Sequence, residues 1–150
     1  MKKFKFSLDS VLSYKEQVLE ALQGEHAVIL AQVREQEEVL ATAWQEYRDC
    51  DAEYSQRKAE GIAITDALVY QNGLRVLEWN IQRETDKLEE LRKQEEAKRQ
   101  QVVDAKIDTS SIEKLKEHKL EDYHKAVQKA EEALIDEFVS SARARASIGA

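Results

Sequence analysis

Between Leu8 and Arg57, apolar side chains return at alternating steps of four and three residues, and nothing nearby in the sequence can bury them. Leu12, Leu19, His26, Val33, Leu40, Tyr47 and Tyr54 form one column, and Leu8, Lys15, Leu22, Ile29, Gln36, Ala43 and Cys50 form the other. This spacing is the seam of a coiled coil. A helix of about 50 residues would be roughly 75 Å long, far beyond the usual helix of a compact domain, so its seam needs an equally long partner. The second half of the same chain can supply one.

Composition permits this and little else. The 150 residues include no proline and four glycines, 35% are charged and 7% aromatic. Such a chain can be helical almost throughout but has little with which to build a globular interior, which predicts an elongated, all-α, single domain. The formal charge of -7 and the lack of a basic face argue against nucleic acid as a partner, because neutralising phosphates takes a local excess of Lys and Arg. Cys50 is the one cysteine; it excludes an intrachain disulfide and fits a reducing compartment, so cytoplasm is the expected location. The opening Met1-Lys2-Lys3-Phe4-Lys5-Phe6 has the charge of a signal peptide without the apolar core, and the run Ala27 to Ala31 is too short for direct membrane insertion.

The pattern divides the chain into helix one over about 8–57, a turn over about 58–66 and helix two over about 67–142. Ser7 is placed to cap helix one, with Asp9 favourable to its dipole. Before it, the alternation of Phe4 and Phe6 with Lys3 and Lys5 fits either a short extended lead-in or a frayed turn. Gly61 followed by Ile62, Ala63 and Ile64 breaks the seam, and Thr65 or Asp66 offers a new N-cap; Asn72-Gly73 is the competing turn. Beyond it the stripe resumes with Leu77, Ile81, Leu88, Leu91, Val102 and Ala105, interrupted by Glu84, Glu95 and Lys98. Asp108-Thr109-Ser110-Ser111, with Ser110 and Glu113 spaced as a capping box, gives the chain the means for a kink or restart near 109–111. The stripe then returns in a shifted phase as Leu120, Tyr123, Val127, Ala130, Leu134 and Phe138, the effect of a four-residue stutter.

Folding back near Gly61 sets Tyr47 beside Leu77, Leu40 beside about Glu84 and Leu8 beside about Leu115. The expected architecture is therefore a long antiparallel two-helix coiled-coil hairpin with a projecting C-terminal helix, beginning near Lys119 and still carrying an apolar stripe. A single helix of that kind is marginal alone and calls for a partner.

Residues that could do chemistry are sparse. His118 and His124 are six apart and so point to different sides of a helix, which argues against a metal. His26 lies in the seam, where a lone histidine is far more often a packed polar residue than a base. Glu89-Glu90 and Glu95-Glu96 are neighbours in sequence and face apart, and the four glycines make no phosphate loop. A two-helix hairpin encloses no dry cavity, so neither an enzyme nor a cofactor is expected. Trp44, Tyr47, Tyr54, Tyr70 and Trp79 gather on both sides of the turn, where they serve either as seam packing or as a binding face.

Three stretches resemble the FliJ family, the coiled-coil component of the flagellar type III export apparatus. They are the opening Phe4-Lys5-Phe6-Ser7-Leu8 with Val11-Leu12 and Lys15-Glu16; the middle Glu46-Tyr47-Arg48, Gly61-Ile62, Tyr70-Gln71 and Leu77-Glu78; and the closing Ile112 to Glu117 with Tyr123 and Asp136-Glu137. The resemblance implies a non-enzymatic stalk, cytoplasmic and peripheral at the membrane. Such a stalk inserts its terminal half into the hexameric export ATPase, promotes ring assembly, touches the export gate membrane protein and handles export chaperones. It marks Gln36, Leu40, Tyr47 and Leu77 as gate-binding candidates, while Ala43, Gly73, Asn80 and Glu84 fill other positions of that patch with different residue types. Independently of it, the apolar stripe of the projecting helix and the start of helix one make Leu8, Leu12, Leu120, Tyr123, Val127, Leu134 and Phe138 the ATPase-binding candidates. Two other readings of the residues stand beside it: a free-standing coiled-coil adaptor or chaperone, and a homodimeric structural coiled coil.

Overall fold

The computed structural model describes residues 2–149. Two helices account for nearly all of them, α1 over Asp9–Glu60 and α2 over Ile64–Ile148, and the two are packed against each other. By contact density the chain falls into two units, Glu20–Val103 and Met1–Leu19 with Asp104–Ala150.

The first unit holds the reversal. Gly61 adopts φ +97°, and it is the only described residue in the left-handed region. Its N–H donates to the Lys58 carbonyl at 3.3 Å and closes the end of α1, the usual work of a glycine just past a helix. The helix restarts at once, because the Ala63 carbonyl accepts from Ala67 N–H at 3.0 Å. Ala63 thus holds the cap position expected of Thr65 or Asp66, and Asp66 instead sits in the first turn, where its charge favours the dipole. Asn72 and Gly73 lie inside α2. Beside the turn, Tyr54 and Tyr70 stack with centroids 5.3 Å apart, Lys58 Nζ lies 4.2 Å from the Tyr54 ring centroid, and Tyr70 Oη donates to Glu53 at 2.9 Å.

Away from the turn, cross-helix partners fall in number on α1 as they rise on α2. Tyr47 bonds Glu78, Gln36 bonds Glu84, His26 bonds Glu95 and Glu25 bonds Lys98, which defines antiparallel pairing. Val33, Ala43 and Tyr54 of α1 are buried, as are Ile81, Leu88 and Val102 of α2. Every member of the two α1 columns read from the sequence is buried or half-buried.

In the second unit the lead-in is ordered. Phe6 is buried, Phe4 packs on Tyr123 with centroids 5.6 Å apart, and Tyr123 Oη donates to the Lys2 carbonyl at 2.8 Å. Helix α1 then begins at Asp9, with Leu8 C=O accepting from Leu12 N–H. Lys15 meets Asp108 and Lys116 meets Asp9 at 2.9 Å. Because the lead-in covers Tyr123 and its surroundings, the fully exposed part of α2 starts at Gln128, about two turns later than Lys119.

Helix α2 is continuous through 109–111. Thr109 Oγ1 donates to the Ala105 carbonyl at 2.8 Å and Ser111 Oγ to that of Ile107 at 2.9 Å, so these hydroxyls are satisfied within the helix and need not start a new one. The phase shift follows them: the covered positions Thr109, Ile112, Lys116, Leu120, Tyr123 and Val127 include two successive steps of four, which is a stutter. No described side chain is fully buried anywhere in the chain.

A Cβ at Gly61 would meet no atom within 4 Å, yet φ there is positive; at Gly24, inside α1, it would also meet nothing. Gly61→Ala is therefore expected to lower stability by about 1 kcal/mol through backbone strain alone. Gly24→Ala should raise it by about 0.5–1 kcal/mol. Urea unfolding followed by circular dichroism measures both, and the opposite signs are the diagnostic result.

Candidate functional site

Among the described residues no group of three or more His, Cys, Asp or Glu is placed to hold a metal ion. What the structure offers instead is surface, and the polar seam residues decide which parts of it are free.

Gln36 spends its amide internally, donating to the Glu84 carbonyl at 3.0 Å and to Glu84 Oε2 at 2.5 Å. That donor, with Lys87 and Arg83 nearby, holds the Glu84 carboxyl below its ordinary value, outweighing the burial that would raise it. About three turns along, His26 Nε2 lies 2.9 Å from Glu95 Oε1. A carboxylate can only accept, so this nitrogen carries the proton and donates. Glu95 is also gripped by Arg99 through both carboxyl oxygens at 2.8 Å. The His26 and Arg99 hydrogen bonds together lower its pKa. Thus Glu84, Glu95 and Lys98, the interruptions of the α2 stripe, face Gln36, His26 and Glu25 on α1. Mismatching Glu84 or Glu95 takes away the partner that α1 supplies to a buried carboxylate, so these pairs help to fix the register.

The gate-binding candidates Gln36, Leu40, Tyr47 and Leu77 all lie half-buried along this seam in the unit Glu20–Val103. Tyr47 Oη donates to Glu78 Oε1 at 3.2 Å; burial first, and then that carboxylate, push the Tyr47 pKa up. Of the neighbouring patch positions, Ala43 and Glu84 are buried, whereas Gly73 and Asn80 are half-buried.

The ATPase-binding candidates separate into two groups. Leu12 is buried, and Leu8, Leu120, Tyr123 and Val127 are half-buried, so the hairpin and its lead-in largely use them. Leu134 and Phe138 are 68% and 75% exposed and line a shallow groove with Glu137, Ser141, Ala142 and Arg145. Ile135 and Val139 share this exposed stretch; reading a single stripe missed them, although their spacing of four, one residue out of phase, was visible in the sequence. The aromatic set divides likewise. Tyr54, Tyr70 and Tyr47 are engaged near the seam, Trp44 packs edge-on to Tyr47 at 6.0 Å, and Trp79 is left 80% exposed.

A two-helix hairpin that matches its polar residues internally and leaves apolar stretches open belongs to the class of coiled-coil interaction proteins. The family model described as Flagellar FliJ protein matches residues 4–147, and the chain belongs to that family. It is thereby a flagellar export-associated coiled-coil protein, from a family that is structural rather than catalytic. No curated protein and no solved structure matches the chain. Among the described residues no helix is long and apolar enough to cross a membrane.

Because the folded pKa values of Glu84 and Glu95 are lowered from the ordinary 4.5, their contribution to stability is complete above that value. It is lost as pH falls through the depressed ones. The melting temperature should hold from neutral pH to about 5 and fall below about 4.5. Glu84→Gln with Glu95→Gln should flatten that fall. An unchanged acid slope in the double variant, measured by thermal melts across pH, would contradict the assignment.

Proposed function

We propose that the chain is a non-enzymatic stalk of the flagellar export apparatus, whose C-terminal helix inserts into the hexameric export ATPase. The supporting observation is the run of α2 past Val127, helical yet exposed at every described position, with Leu134 and Phe138 open to solvent. An isolated amphipathic helix is weakly stable in water and gains by being covered. A ring lumen would cover it from several sides, and asymmetric contacts there would bias ring assembly and pass nucleotide-dependent changes along the seam. In this reading Gln36, Leu40, Tyr47 and Leu77 face the export gate membrane protein, export chaperones are further partners, and the protein works at the cytoplasmic face of the membrane.

The test uses the cognate export ATPase. Wild-type chain should stimulate its hydrolysis and shift it toward hexamers. Leu134→Glu with Phe138→Glu replaces side chains that make no interior contact, so the hairpin should keep its helicity while stimulation drops on the order of tenfold or more. Full stimulation by the folded double variant would refute insertion through this helix.

A further inference from the structure

We propose that the outward face of α2 between Ile64 and Arg83 is a second docking surface, shaped for an amphipathic helix of another protein that carries carboxylates beside its apolar stripe. This goes beyond the stalk reading: the surface borders the gate-facing residues at Leu77 and shares no residue with the C-terminal helix that carries the insertion.

While Ala67, Tyr70, Leu74, Leu77 and Ile81 turn toward α1, another set at the same spacing is left outside: Val69, Asn72, Val76, Trp79 and Arg83. Val69 and Val76 are 69% and 67% exposed, and Ile64 and Leu68 extend the apolar surface toward the turn. The Trp79 ring stands between two shallow depressions, one formed with Asn72, Arg75 and Val76, the other with Val76, Leu77, Asn80 and Arg83. Side chains of a partner helix fill hollows of this spacing, ridge into groove. An exposed tryptophan with arginines beside it is also the composition of interface anchors.

Charge selects the partner. The chain carries an excess of seven acidic groups, yet this face holds Arg75 and Arg83 and no carboxylate. Of the two acids of the stretch, Asp66 lies at the margin beside the turn, one helical step before Val69, and Glu78 accepts from Tyr47 on the side toward α1. Arg83 bonds Asn80 Oδ1 at 2.9 Å and lies 3.7 Å from Glu84, but its side chain is 65% exposed and keeps donors free. Apolar anchors between guanidinium groups favour an acidic helix and oppose a basic one.

The experiment uses the full chain with Trp44→Phe, which leaves Trp79 as the sole tryptophan. The probe is a synthetic helix of about three heptads with Leu on the seam positions and Glu on the flanks; its control has Lys for Glu. The Glu peptide should produce a saturable blue shift of Trp79 emission, with the Lys peptide binding about tenfold or more weakly. Arg75→Glu with Arg83→Glu should reverse that order without loss of helicity. Equal response to the two peptides, no shift with the Glu peptide, or an unchanged order in the reversed variant would overturn the proposal. So would a shift that grows with protein concentration alone, which marks a second copy as the occupant, or one seen only with anionic phosphatidylglycerol vesicles. ATPase stimulation by the reversed variant should equal wild type, so this surface and the C-terminal helix fail independently.

Discussion

The fold depends on polar residues meeting one another inside a seam that is otherwise apolar. Hydrophobic contact drives the two helices together but is indifferent to a slip of one heptad, since Leu meets Leu almost as well at the next repeat. A slip would set Glu84 and Glu95 against aliphatic side chains instead of Gln36 and His26, leaving two buried carboxylates only the basic partners of their own helix, among them Lys87 and Arg99. Alignment in turn determines which residues the hairpin uses and which it leaves open.

Much of this was legible because a coiled coil writes its contacts as a local repeat. The α1 columns from Leu8 to Tyr54, the reversal at Gly61 and the four-residue phase shift all follow from spacing. Other features rest on interactions that spacing does not encode. The placement of Phe4 and Phe6 depends on Tyr123, more than a hundred residues away, and no local pattern announces such a contact. Capping residues offer hydrogen bonds that a helix interior can also accept. For that reason Thr109 and Ser111 read as a break and fold as continuous helix.

The surfaces show the same division. Sequence reading grouped Leu8, Leu12, Leu120, Tyr123, Val127, Leu134 and Phe138 as ATPase-binding candidates, but only burial distinguishes the members covered by the hairpin from Leu134 and Phe138, which are open. It also grouped five aromatics near the turn without separating the stacked Tyr54 and Tyr70 from the free Trp79. Val69 and Val76 escaped notice because a strong seam draws attention from a weaker stripe on the opposite side of the same helix.

That no described side chain is wholly withdrawn from water has a mechanical corollary. A globular interior resists deformation because its atoms are locked on all sides, whereas here each contact has solvent on its flank, ready to occupy any gap that opens. Side chains along the seam therefore have water, not only protein, as an alternative neighbour. The contacts that hold the two helices together are thus hydrated along their edges over the whole described seam.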